Sequence, residues 1–317
     1  MDKDITFIIN PSEITAGTRG ASLGPYAVIT EARKIKNQLF GKFPMQTIAD
    51  CNHLLDHETK FTFAKNAEGL IKVYEAVSDA LDLVYKENSF PFVFAGDHGS
   101  AGGTIAGIKK QFPDKRIGVV WIDAHGDIHS PYTTPSGNMH GMPVATALAQ
   151  DNLENQRNSL SSEETEIWNQ LKNLYGICPK ILPQDLVYVA VRDVEKEEVD
   201  LINRLNIRSV SVSEVRTKGV CSILNEISSK LAVCDLIYIS FDVDSMDPEF
   251  TSHGTGTPVE NGLKPSEAFE IMDGLLKTNK VACLEFVEIN PCLDEKKNKM
   301  AEVAFDIANK LITNNFN

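Results

Sequence analysis

IGVVWIDAHGDIHS, residues 117–130, runs a β-branched apolar segment directly into a cluster of acids and imidazoles. The apolar part is nearly continuous rather than alternating, which predicts a strand covered on both faces, as in a parallel sheet. LIYISFDVD at 236–244 has the same form, and ITFIIN at 5–10, FPFVFAGD at 90–97, LVYVAVRD at 186–193 and VACLEFVEIN at 281–290 follow it more loosely. Helix-like stretches lie between or after these runs at 66–87, 197–206, 222–232, 265–278 and 299–313, with Pro265 where a helix would start. This alternation predicts βαβ units in a three-layer α/β/α fold with a mainly parallel sheet. Asp97 and His98, Asp123 and His125, Asp193, Asp242 and Asp244, and Glu288 all fall at the carboxyl ends of the apolar runs. That edge of an open parallel sheet is where ligands bind.

Working outward, the chain shows no internal repeat, low-complexity tract or Pro/Ser-rich linker, so a single domain over residues 1–317 is expected. Residues 151–183, polar and irregular, read as an insertion within it. With 42% hydrophobic and 24% charged residues, wholesale disorder is excluded. A net charge of −13 opposes binding to nucleic acid or anionic lipid, and no basic run offsets it. The first residues, MDKDITFIINPSE, lack a secretory pattern, and no apolar run approaches the roughly 20 residues of a membrane span. Six cysteines without a C-x-x-C pair predict reduced, mostly buried thiols in a cytoplasmic protein.

Asp123, His125 and Asp127 stand at i, i+2 and i+4, which on an extended backbone projects all three to one face; Asp242 and Asp244 repeat the spacing. Four carboxylates in one crevice cannot all stay ionised without compensation. Two divalent cations balance them, and carboxylates with imidazoles suit manganese, iron, cobalt or zinc. Such a pair lowers the pKa of a bound water toward ~7, which points to hydrolysis. His53, His57 and His253 lie outside these motifs and read as ordinary surface or core histidines.

The motifs GDH at 96–98, DAHGD at 123–127, SGNMHGMPVA at 136–145, VRD at 191–193, SFDVDSMDP at 240–248, GTGTPV at 254–259 and EINP at 288–291 resemble, in order, those of the ureohydrolases, the arginases most closely. The resemblance implies two manganese ions, with cobalt or iron as alternatives: one on His98, Asp123, Asp127 and Asp242, the other on Asp123, His125, Asp242 and Asp244. It implies hydrolysis of L-arginine to L-ornithine and urea by attack of a metal-bridging hydroxide on the guanidinium carbon. Asp127 would orient that hydroxide, His140 would transfer protons and Glu288 would hold the guanidinium, with Thr257 nearby. His129, Ser136 and Asn138 would face the substrate carboxylate and Asp193 its ammonium. Assembly into homotrimers or hexamers is a further expectation from the family.

The chain departs from the family at three points. Ala95 and Gly99 stand where a glycine and a hydroxyl residue are usual, so weaker support for His98 is expected. His129 replaces an asparagine, which raises agmatine or another guanidino compound as the alternative substrate.

Overall fold

The computed structural model describes residues 4–316. Eight strands, β1 (Ile5–Asn10), β2 (Met45–Thr47), β3 (Phe90–Ala95), β4 (Ile117–Ile122), β5 (Leu186–Val189), β6 (Arg208–Val210), β7 (Leu236–Asp242) and β8 (Val281–Val287), form one sheet in the order β2-β1-β3-β8-β7-β4-β5-β6. Every pairing between these strands is parallel. The helices are α1 (Gly24–Lys34), α2 (Leu39–Lys42), α3 (Ala67–Lys86), α4 (Ala101–Gln111), α5 (Pro143–Leu148), α6 (Ser162–Lys172), α7 (Lys196–Arg204), α8 (Val212–Lys218), α9 (Val220–Lys230), α10 (Pro265–Leu276) and α11 (Lys299–Asn315).

Successive residues of a strand face opposite sides, and that period divides the core into two layers. Val120 and Ile122 of β4 pack with side chains of α1 and α8 to α11, whereas Val119 and Trp121 pack with α3 to α7. Both faces of the sheet are therefore apolar, which is why the strands read as unbroken hydrophobic runs. In the central ladder Ile122 pairs with both Val189 and Phe241, and Asp242 pairs with Val287. The register brings the carboxyl ends of β4, β5, β7 and β8 level, so the polar residues that follow them meet.

Three expectations need correction. β4 stops at Ile122, and Asp127 has a positive φ of 49°, so Asp123, His125 and Asp127 are gathered by a curving loop rather than by an extended pleat. Asp244 likewise sits in a short 3-10 turn, Val243–Ser245, with its N–H donated to Asp242 Oδ1 at 2.9 Å. The thiols are not mostly buried: Cys234 and Cys283 are, but Cys178, Cys221 and Cys292 are exposed. Among the described residues no helix is long and apolar enough to cross a membrane.

Candidate active site

Two groups of ligand-capable atoms stand side by side at the carboxyl edge of the sheet. His98, in a 3-10 turn after β3, points Nδ1 at carboxylate oxygens of Asp123, Asp127 and Asp242 at 3.1, 3.0 and 3.2 Å. His125 Nδ1 lies 3.1 Å from Asp244 Oδ2 and 3.4 Å from Asp123 Oδ1. Asp123 turns Oδ2 to the first group and Oδ1 to the second.

The arrangement fits cations better than it fits itself. His98 Nδ1 is buried without a hydrogen-bond partner of acceptable geometry, although three carboxylates crowd it. His98, Asp123 and Asp127 form one set of donors close enough to share an ion, and Asp123, His125 and Asp244 another. Without such ions two of the carboxyls hold protons more tightly than usual. Burial, reinforced by Asp123, pushes the Asp127 carboxyl up to about 6, and burial with Asp244 and Asp123 holds Asp242 well above the usual carboxylate range. Burial opposes protonation of His98, yet the crowding carboxylates of Asp123, Asp127 and Asp242 outweigh it and hold the imidazole well above its ordinary value.

The groups around these donors fix their aim. His98 Nε2 pairs with Ser240 Oγ at 2.7 Å, and the ring stacks on Trp121 at 4.1 Å between centroids, 7° from parallel. The expected weakness from Gly99 is thus met by other partners. A Cβ at Gly99 would stand 2.3 Å from Thr15 Oγ1, so the turn has no room for a larger residue. Glu288 adopts φ 64°, sparsely populated for a non-glycine residue, while its N–H donates to Gly96 O and its Oε1 accepts the His98 N–H at 2.8 Å. Burial and Asp97 push its carboxyl up to about 8.

A cavity opens over both groups, and His98, His125, Asp127, His129, Ser136, Asn138, His140, Asp193, Asp242, Thr257 and Glu288 line it. His140 Nδ1 lies 3.8 Å from Glu288 Oε1, and burial followed by the His125 and His98 imidazoles brings its pKa down to about 4. Thr257 donates its hydroxyl to Asp244 Oδ2 at 3.1 Å. Asp193 is 68% exposed and its Oδ2 lies 3.7 Å from His125 Nε2. His129 differs from expectation: Nδ1 pairs with Thr133 Oγ1 at 2.9 Å and Nε2 with Glu195 Oε2 at 2.6 Å. Both ring nitrogens are engaged, so the imidazole braces Glu195 instead of offering a free donor. Sequence reasoning missed Glu195 and Glu198, which also line the cavity. The signal available was the acidic run of Glu195, Glu197 and Glu198 just after VRD at 191–193.

An all-parallel three-layer sheet with two adjoining His/Asp donor groups at its carboxyl edge defines a metal-dependent hydrolase. The Arginase family model matches residues 3–313, and the chain belongs to the Arginase family. It is 31% identical to the arginase of Bacillus subtilis (strain 168) over 98% of both chains. The native arginase structure from Bacillus caldovelox superposes with a TM-score of 0.81 at 32% identity over 98% of each chain. The Entamoeba histolytica arginase, solved in complex with L-ornithine, superposes at 0.78 with 28% identity over 98% of this chain and 99% of that one.

Proposed function

We propose that the protein is an arginase, a metal-dependent amidinohydrolase that converts L-arginine and water to L-ornithine and urea. The observation that carries this reading is the convergence of His98, Asp123, Asp127 and Asp242 beside His125 and Asp244 at the floor of one acidic cavity. In this reading His98, Asp123, Asp127 and Asp242 hold one manganese ion, and Asp123, His125, Asp242 and Asp244 the other. Two divalent ions there would neutralise the four carboxylates and supply ionised water near neutral pH.

The chain's own residues do the remaining work. Glu288, buried and held by the backbone N–H of His98, presents to the substrate guanidinium a carboxyl that this cation favours in its ionised form, and sets the guanidinium carbon over the ligand cluster. Thr257 adds a hydroxyl on the same side. Asp127 takes the proton released on attack, and His140, neutral near pH 7, relays a proton to the departing amine, a general-acid contribution of typically 10²–10⁴-fold. Ser136 and Asn138, with His129 nearby, take the α-carboxylate end, while Asp193, joined by Glu195, takes the α-ammonium. A single domain, a cytoplasmic setting, for which the six unpaired thiols speak, and assembly into trimers or hexamers, which the motifs' resemblance implies, complete the reading.

The test is urea release from L-arginine by protein stripped with a chelator and then reloaded with manganese. Activity restored by manganese and abolished by the chelator is expected. No urea after reloading with manganese, cobalt or iron overturns the reading.

A further inference from the structure

Beyond the cavity wall, Asn138 separates the proposed substrate site from a second groove lined by Lys65, Arg19 and Gly17. Lys65 is tied twice to the loop that carries Asn138. Its backbone N–H donates to Gly137 O at 3.0 Å, and its ammonium donates to Asn138 Oδ1 at 3.4 Å. The close approach depends on Gly137, which has φ +77° and where a Cβ would stand 2.0 Å from Thr62 O. On the other side of the amide, a Cβ at Gly17 would stand 2.9 Å from Asn138 Nδ2. The amide therefore lies in a slot, with its oxygen turned to Lys65 and its nitrogen over Gly17.

That orientation has a consequence for recognition. Asn138 Nδ2 donates to no acceptor among the described residues, and it belongs to a residue that lines the cavity. Lys65 forms no salt bridge among the described residues, and the partner of its ammonium is the Asn138 amide oxygen. The charged groups of the wall itself include Asp193, Glu195, Glu198 and Glu288, which repel a carboxylate, and His129 is committed to Glu195.

We propose that Lys65 is a positioning residue for substrate selection: its ammonium fixes the Asn138 amide with Nδ2 free for a carboxylate and supplies the positive potential there. This rests on the arginase reading above.

The experiment compares steady-state kinetics on L-arginine for manganese-loaded wild type, Lys65→Met, Lys65→Arg, Asn138→Ala and the Lys65→Met/Asn138→Ala double variant. Lys65→Met is expected to raise KM about tenfold while kcat stays within about twofold, with Lys65→Arg recovering most of the loss. In the double variant KM should be no higher than in Asn138→Ala alone, because the lysine acts through the amide. Lys65→Gln, with the same expected rise, carries the test should Lys65→Met fail to fold by thermal melting. A KM within twofold of wild type, an equal fall in kcat, or additive effects in the double variant overturns the role of Lys65. Absence of urea from the wild type overturns the arginase reading itself.

Discussion

His98 illustrates how a single position can be supported by residues far along the chain. Its ring is clamped between the Trp121 face and the Ser240 hydroxyl, which together fix the direction of Nδ1. Removing the hydroxyl in Ser240→Ala leaves stacking but loses the partner of Nε2, and affinity for the first ion should fall about 10-fold. Titration of the stripped protein with manganese measures this directly; unchanged affinity would show that Trp121 suffices. Asp127→Asn keeps the shape of the side chain but removes its charge. It should lower both metal retention and turnover, and wild-type rates at saturating manganese would contradict the role given to Asp127. Asp193 is different in kind, because it is exposed and, apart from His125 Nε2 at 3.7 Å, faces the proposed ammonium end. Asp193→Ala should therefore raise KM more than it lowers kcat, since that contact is equal in ground and transition states.

At the scale of elements, residues 151–183 turn out to brace the site. Asn158 Nδ2 donates to Pro131 O at 2.9 Å and Thr134 O at 2.7 Å, which holds the loop leading to Ser136 and Asn138. Helix α6 begins with a capping box between Ser161 and Glu164, and Glu164 Oε1 also accepts the Phe63 N–H at 2.9 Å. Asn158→Ala should thus loosen the carboxylate end and raise the L-arginine KM several-fold with kcat nearly kept. Equal kinetics to wild type would show that the backbone N–H groups of Arg157 and Asn158, which both donate to Tyr132 O, hold the loop without the side chain. Little of this bracing was readable in the sequence, because it consists of side-chain bonds to carbonyls distant in the chain. The long strands and the residues at their ends were readable, since burial on both faces leaves a continuous apolar run and the polar break marks its end. β2 and β6 were not: each has three residues at a sheet edge, too short to show a period. The bend that gathers Asp123, His125 and Asp127 was also hidden, since aspartate, though enriched at positive φ, adopts it in only a minority of its positions.

For the whole molecule, the candidate site couples metal binding to stability and to pH. On the proposed reading cations bind the folded arrangement of six side chains and not the dispersed unfolded chain, so saturating manganese should raise the melting midpoint. One site filled at 100 times its dissociation constant contributes ~2.7 kcal/mol. The metal-free and loaded forms respond to acid in opposite senses. In the metal-free fold Asp127 has its pKa raised to about 6 by burial and Asp123, above the ordinary carboxylate value of about 3.9. Between those values the metal-free folded state holds a proton that the unfolded state has released, so this group adds stability as pH falls through about 6. Metal binding needs the ionised carboxylate, so its affinity drops over the same window. The manganese-induced gain in melting midpoint should therefore be full at pH 7.5 and shrink steadily as the pH is lowered through 6 toward 4. Melting curves with manganese and with chelator, recorded across that range in buffers that do not bind metal, measure the gap. A gap that stays constant from pH 7.5 to pH 4.5 would mean that Asp127 does not exchange a proton for a cation.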